Sequence, residues 1–333
     1  MNILIVRLGS LGDVIHAIPA AAALRRAFAT ARIDWLVDAP HRDIVELVTT
    51  LDRVVVLRGG TLPAWASARR ELRAARYDVA LDFQGLLKSA VLARASGAAR
   101  VVGFTRRDLR EKTARFFYTA SANGEGAHAI LKNLRLLQTL GIEDDGIEFP
   151  LRPVESAALS ALRSTLGGSR VALINPGAAW PNKRWPAGRF GQLAASIRER
   201  HALVPVVLWG PGEEELAAAV VAASGGAAVL APPTSVRDLV AFCRAADLFV
   251  AGDTGPLHVA TAVGTPTVSL YGPTDPARNG PWSSSDVFVS RADRCGCPIE
   301  RSCRQARWCL EEITVADVDA AVQRRLAVGE TRG

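Results

Sequence analysis

Short apolar runs alternate along this chain with segments whose apolar positions recur at helical spacing. In the first half the runs NILIVRL (2–8), RIDWLVD (32–38), RVVVLR (53–58), DVALDF (78–83) and RVVGF (100–104) are rich in β-branched residues and predict strands. Helical patterns separate them at 13–28, 39–48, 62–76 and 86–96. Strand–helix alternation of this kind predicts a parallel, doubly wound sheet. Residues 141–155, GIEDDGIEFPLRPVE, break the rhythm with acids, glycines and prolines, as a linker does. The alternation then restarts, with strands predicted at 170–175, 203–209, 227–231, 247–253, 267–272 and 286–290. Helices are predicted between them at 186–200, 212–223, 235–246 and 255–264, and a closing helix follows Thr314. The expected architecture is α/β, with Rossmann-like domains at 1–150 and 151–333 facing a central cleft.

The length, 333 residues, agrees with more than one core, and 49% apolar with 22% charged residues is ordinary globular composition. Lys and Arg outnumber Asp and Glu by 40 to 33, and most of the excess is Arg. A net charge of +7 suits a phosphorylated metabolite, nucleic acid or an anionic membrane, or is simply that of a basic soluble protein. The cations are scattered without a helix-turn-helix or stacking signature, so no nucleic-acid partner is expected. The N-terminal apolar stretch is interrupted by Arg7 and Asp13 and has no basic leader, unlike a signal peptide. Long uncharged stretches carry Gly and Pro and do not read as membrane spans. A cytoplasmic protein, at most peripheral to a membrane, is the expectation. Four of the five cysteines (Cys295, Cys297, Cys303, Cys309) cluster as C-x-C-x5-C-x5-C. That is not a familiar zinc spacing, so a reduced thiol cluster is expected and no metal.

Four stretches offer chemistry. In RLGSLGD the strand ends near Leu8, Gly9 and Gly12 permit a tight turn, and a helix is predicted from about Asp13. The spacing is G-x-x-G without G-K-[ST], so neither a dinucleotide fingerprint nor a Walker loop is present. Asp13 reads as an N-cap or as a carboxylate poised to take a proton from a hydroxyl. In INPGAAWPNKRWP, Lys183 and Arg184 stand on a loop after a strand, as a diphosphate site or a solvated basic loop. In FVAGDTGPLHVATA, Asp253 is followed by a helix start at Thr254-Gly255-Pro256, where free amides and the Thr254 hydroxyl suit an anion. His258, about one turn in, points to the same end or packs in the core. In LWGPGEEE, Glu214 near a helix start complements the dipole or binds a ribose diol.

Together these stretches resemble the heptosyltransferases of lipopolysaccharide inner-core assembly, glycosyltransferases of the GT-B fold. ILIVRLGSLGDVIHAIPA, YDVALDFQGLLKSA, KRWP, WGPGEEE, DTGPLHVATA and LYGPTDP carry the resemblance over nearly the whole chain. RIDWLVD and LREKTARFFY are most similar to the heptosyltransferase I branch, whereas the cysteine cluster is similar to other branches, including heptosyltransferase II. The resemblance implies that Asp13 is the catalytic base and that Lys183 offsets charge on the leaving diphosphate. It also implies donor contacts from Asp253, Thr254, Gly255 and His258, a ribose contact from Glu214 and an adenine wall at Thr234. Gly177, Ala178 and Ala179 stand where the first branch commonly has a Thr pair before the Lys, so backbone amides must replace those hydroxyls.

On the acceptor side the resemblance implies Arg110 and Lys132, with Lys88, Arg69 and Arg70 as additions. The implied reaction is inverting transfer of L-glycero-D-manno-heptose from ADP-heptose to a Kdo residue of phosphorylated lipid A. It would use no cofactor and no metal, in a monomer at the cytoplasmic face of the inner membrane. A heptosyltransferase of the second or third type with another acceptor is the alternative within the family. Outside it stand a Rossmann-fold epimerase or dehydrogenase, against which the missing G-x-G-x-x-G weighs, and a non-catalytic nucleotide-sugar-binding protein.

Overall fold

In the computed structural model the apolar runs are strands, and all of them pair in parallel. Described are all residues except 125, 127, 144, 145, 298, 299, 304–307 and 331–333. The chain divides into Met1–Arg152 and Pro153–Gly333. The first unit contains β1 (Asn2–Val6), β2 (Arg32–Asp38), β3 (Arg53–Leu57), β4 (Val79–Asp82), β5 (Arg100–Phe104) and β6 (Ala120–Ala122). Its helices are α1 (Leu11–Ala27), α2 (Arg42–Val45), α3 (Leu62–Ala74), α4 (Leu87–Ala95) and α5 (Ala129–Leu137). The second unit contains β7 (Val171–Asn175), β8 (Val204–Val207), β9 (Val229–Leu230), β10 (Leu248–Gly252), β11 (Thr267–Tyr271) and β12 (Val287–Ser290). Its helices are α6 (Ala157–Leu166), α7 (Ala187–His201), α8 (Glu214–Ala223), α9 (Val236–Ala245), α10 (Gly255–Ala262), α11 (Pro276–Asn279) and α12 (Val315–Glu330).

The strand orders are β3-β2-β1-β4-β5-β6 and β12-β11-β10-β7-β8-β9. Read from its own first strand, each unit has the same Rossmann-like topology. Strand order reverses between β1 and β4 in one and between β7 and β10 in the other. Such switch points leave a crevice at the carboxyl ends of the two strands, where ligands of open α/β sheets bind.

Helix α1 is buried on nearly every side from Gly12 to Leu24, which explains why its sequence lacks a polar face. In the second unit Trp185, Phe190, Leu193 and Ile197 pack with Val318 and Val322 of α12 against the sheet. Strand β6 escapes a reading of the pattern because Ala-Ser-Ala carries no apolar alternation; its pairing with β5 defines it. The helix expected at 39–48 shrinks to a 3-10 turn (Ala39–His41) and the four residues of α2. Its apolar end is diverted, for Val48 bridges Leu151 and the Arg152 amide donates to the Leu47 carbonyl at 2.9 Å. Those contacts bind residues 150–152 to the first unit, so the boundary falls just after the expected 150/151. Among the described residues no helix is long and apolar enough to cross a membrane.

Candidate active site

In the first unit the turn after β1 carries Arg7, a cation at the end of a strand buried from Ile3 to Val6. Such a charge needs partners. Arg7 Nη2 meets Asp13 Oδ1 at 2.6 Å, and Nη1 donates to the Phe83 carbonyl at 2.5 Å. Asp13 is not the N-cap that the sequence suggested. Ser10 occupies that place and Asp13 is the third residue of α1, its Oδ2 accepting from the Ser10 amide at 3.2 Å and the Ser10 hydroxyl at 3.0 Å. Burial pushes the Asp13 carboxyl up, but Arg7, His16 and the Ser10 hydrogen bonds outweigh it, so its pKa lies below the ordinary value. The side chain nevertheless keeps 46% of its surface exposed, enough to meet a substrate. The His41 ring packs against Gly9, where a Cβ would stand 2.7 Å from it. Burial lowers the pKa of that imidazole against the pull of Asp38 and Asp13, which favours its neutral form.

Across the switch point β4 ends in Asp82, which is fully buried. It accepts from the Tyr118 hydroxyl at 2.6 Å, the Ser89 hydroxyl at 2.9 Å and the amides of Gln84 and Gly85. These bonds fix the turn that offers the Phe83 carbonyl to Arg7 and the Gln84 side chain to the Leu8 amide at 2.7 Å. Lys88, at the start of α4, reaches both Asp38 oxygens at 3.0 Å. Lys132 donates to the Asp108 carbonyl at 3.0 Å and lies 4.5 Å from the Phe104 ring centre. Arg110 is exposed two residues beyond Asp108. Lys88 and Arg110 thus follow β4 and β5, and Lys132 reaches the β5 loop from α5. Arg69 and Arg70 are exposed on α3, which packs on edge strand β3 and on α4, and neither contacts the Asp13 group among the described residues.

In the second unit the corresponding strands are β7 and β10. Asn175 at the end of β7 donates to the Gly177 carbonyl at 3.0 Å, and Arg184 Nε donates to the Ala178 carbonyl at 2.9 Å. These bonds hold the loop on which Ala179 is exposed. The loop ends in a 3-10 turn that delivers Lys183 to Asp253 Oδ2 at 2.6 Å, with its ammonium 4.6 Å from the centre of the Trp180 ring. Gly252 permits this approach, for a Cβ there would lie 2.7 Å from the Lys183 carbonyl. His258 Nε2 stands 3.2 Å from the other Asp253 oxygen. Burial pushes the Asp253 carboxyl up, yet His258 and Lys183 together hold it far below the carboxylate range. Thr254 is the N-cap of α10 with Gly255 as its first residue, and the Thr254 hydroxyl is buried without a partner among the described residues. An orphan hydroxyl beside free helix amides and a lysine is suited to an anion.

Glu214 is the exposed first residue of α8, and Thr234 is half-buried in the loop before α9. The acid that faces the β7 loop is Glu213. Its Oε2 accepts from the Gly210 amide at 3.2 Å, its Oε1 lies 3.8 Å from Arg184, and a Cβ on Gly177 would collide with it. Nothing in G-E-E-E distinguishes Glu213 from Glu214; the start of α8 decides. Arg7, His41 and Trp180 also join the sites without being singled out by motif, though a cation ending a buried strand was a usable signal.

Among the described residues none of the five cysteines forms a disulfide, and the Cys297 and Cys303 sulfurs lie 3.7 Å apart. Among the described residues no group of three or more His, Cys, Asp or Glu side chains is placed to hold a metal ion.

The chain is 31% identical to lipopolysaccharide heptosyltransferase 1 of Pseudomonas aeruginosa over 91% of its own length and 87% of that protein's. It superposes on a glycosyl transferase family 9 structure from Veillonella parvula with a TM-score of 0.85, at 23% identity, covering 98% of this chain and 97% of that one. An Escherichia coli heptosyltransferase solved with ADP gives a TM-score of 0.79, at 22% identity, over 98% and 100% of the two chains. Paired Rossmann-like units of this kind are the GT-B fold. Residues 65–309 match the family described as glycosyltransferase family 9 (heptosyltransferase), and the chain belongs to that family of enzymes.

Proposed function

We propose that this heptosyltransferase moves L-glycero-D-manno-heptose from ADP-heptose to a Kdo residue of phosphorylated lipid A, with inversion at the anomeric carbon. The likeness to a lipopolysaccharide heptosyltransferase 1 supports this acceptor. The observation that carries the donor half is the Lys183–Asp253–His258 chain, with Asp253 and His258 buried, beside the orphan Thr254 hydroxyl at the mouth of α10. Lys183 and the α10 amides would stabilise the charge that develops on the β-phosphate as the sugar leaves. Gly177, Ala178 and Ala179 would add backbone amides, Glu214 or its neighbour Glu213 a ribose contact, and Thr234 a wall for the adenine.

The first unit would supply the acceptor contacts, through Arg110, Lys132 and Lys88, and the base. Asp13 is ionised at neutral pH, so it is ready to accept the proton that the attacking hydroxyl loses as the bond to the anomeric carbon forms. Arg7 and Ser10 would keep that carboxylate aimed. No step calls for a metal or cofactor, and activity should persist in EDTA. The enzyme would work as a monomer, peripheral to the cytoplasmic face of the inner membrane.

The test is ADP or UDP release from a panel of nucleotide sugars with Kdo-lipid A as acceptor. ADP release from ADP-heptose alone among the panel, with a product one heptose heavier, is the expected result. Release only with an acceptor that already carries heptose would move the chain to the second or third type.

A further inference from the structure

Phe116 has 86% of its surface exposed, in a 3-10 turn (Lys112–Phe117) that crosses from β5 to β6 against α4. Buried Ala114 and Tyr118 anchor the crossover and leave the Phe116 ring outside. Immediately upstream Arg106, Arg107, Arg110 and Lys112 are all exposed, and none forms an ion pair among the described residues. The acids of the same segment are engaged elsewhere. Asp108 accepts from the Thr105 hydroxyl at 2.6 Å and the Gly124 amide at 3.0 Å, while Glu111 accepts from the Leu87 amide at 2.6 Å. Leu87, beside Glu111, is itself 41% exposed. At the rise of a 3-10 helix Phe116 lies only about 8 Å from Lys112. The result is one patch with an uncovered aromatic ring, an exposed aliphatic neighbour and a net positive charge, since Asp108 and Glu111 offset only part of the charge of Arg106, Arg107, Arg110 and Lys112.

We propose that residues 106–116 with Leu87 dock the enzyme on an anionic lipid bilayer, Phe116 entering the boundary between headgroups and acyl chains while the cations hold the phosphates. Charge complementarity selects this occupant. A cluster of four or more cations is the pattern that anionic headgroups attract, and a single exposed aromatic adds the second signal that reversible anchoring needs. The patch begins at the carboxyl end of β5, beside the β4 turn that touches Arg7. Docking would therefore turn the edge that carries Asp13 toward the membrane, an orientation whose use rests on the lipid-linked acceptor proposed above.

The experiment is co-sedimentation of the full chain with vesicles of phosphatidylethanolamine and phosphatidylglycerol, without donor or acceptor. Wild type should sediment at physiological salt and be released at high salt. Phe116→Ser should lower partitioning about tenfold, and the double variant R106E/R107E by about a hundredfold or more. Phe288→Ser, which removes a half-exposed ring from β12, should bind as wild type does, and melting curves check that each variant is folded. Equal binding to phosphatidylcholine vesicles, or co-sedimentation of both patch variants like wild type, overturns the proposal. So does a wild type that stays in solution, the result expected if the patch docks an acidic protein instead. No sugar is present, so a failed heptosyl-transfer assay leaves this measurement untouched, and the reverse holds.

Discussion

The strand across the switch point leads to a buried aspartate in both units, Asp82 as the last residue of β4 and Asp253 just after β10, yet the two are managed in opposite ways. Neutral donors surround Asp82: two hydroxyls and two backbone amides. Burial outweighs them and its pKa rises. Asp253 lies between an ammonium and an imidazole, which outweigh the same penalty, and its pKa falls. Neutral partners make a fastener for a turn; charged partners make a fixed electrostatic site with a lysine held beside a helix N-terminus. In the first unit the carboxylate that a substrate could reach is Asp13, which remains half-exposed against one arginine. Equivalent topology thus supports two chemistries, and the choice lies in which side chains the loops deliver.

The sharpest way to break this division of labour is Asp13→Ala. Turnover should fall about 10²–10⁴-fold, as for loss of a general base, with ADP binding by calorimetry unchanged. Near-normal turnover would remove Asp13 from that role. Next comes Asp253→Ala, which leaves Lys183 and His258 without their shared carboxylate. Breaking a buried pair should cost about 3–5 kcal/mol in urea unfolding, and a wild-type midpoint would show the pair to be replaceable. Lys183→Ala should weaken use of the donor about tenfold to a hundredfold in kcat/KM; unchanged donor kinetics would sink its assignment. Arg110→Ala should raise the KM for acceptor about tenfold and leave the donor's alone, whereas the reverse pattern would mean the roles of the units are exchanged.

The smallest effect concerns pH and separates the two buried aspartates directly. A raised folded pKa means that ionised Asp82 costs stability above the unfolded value of about 3.8, a cost relieved as pH falls through the folded pKa. A depressed folded pKa means that Asp253 contributes stability above 3.8 that is lost as pH falls toward its folded value. Asp82→Asn should therefore change stability at neutral pH by about 1 kcal/mol or less and make the loss on acidification steeper, while Asp253→Asn should make it shallower. Parallel urea titrations from neutral to acid pH read both slopes, and equal slopes in the two variants would erase the distinction.

Much of the fold was legible because strands buried on both faces are continuous apolar runs and loops carry Gly and Pro. What escaped the pattern was structure held by pairing, such as β6, helices cut short by distant contacts, such as α2, and the short helices α5 and α6, which are not among the elements predicted from the sequence. The candidate sites were legible as far as motif residues sit next to one another. Asp253, Thr254, Gly255 and His258 fall within six positions, and helical geometry brings the histidine back to the aspartate. Glu213 was not distinguishable from Glu214, nor Ser10 from Asp13 as the N-cap, since a shift of one to three residues at a helix start turns a side chain to a different face.

The sequence by itself determined the paired α/β architecture, the loops that carry chemistry and the family resemblance, because periodicity and motif spacing are local quantities. Only the tertiary structure decided which charges meet. The pairs Lys183–Asp253 and Lys88–Asp38 join residues 70 and 50 positions apart, and the bond from Arg7 to the Phe83 carbonyl spans 76. Parallel strands place their carboxyl ends along one edge however far apart they lie in the chain, so the partners of each cation, and with them its chemistry, follow from strand order.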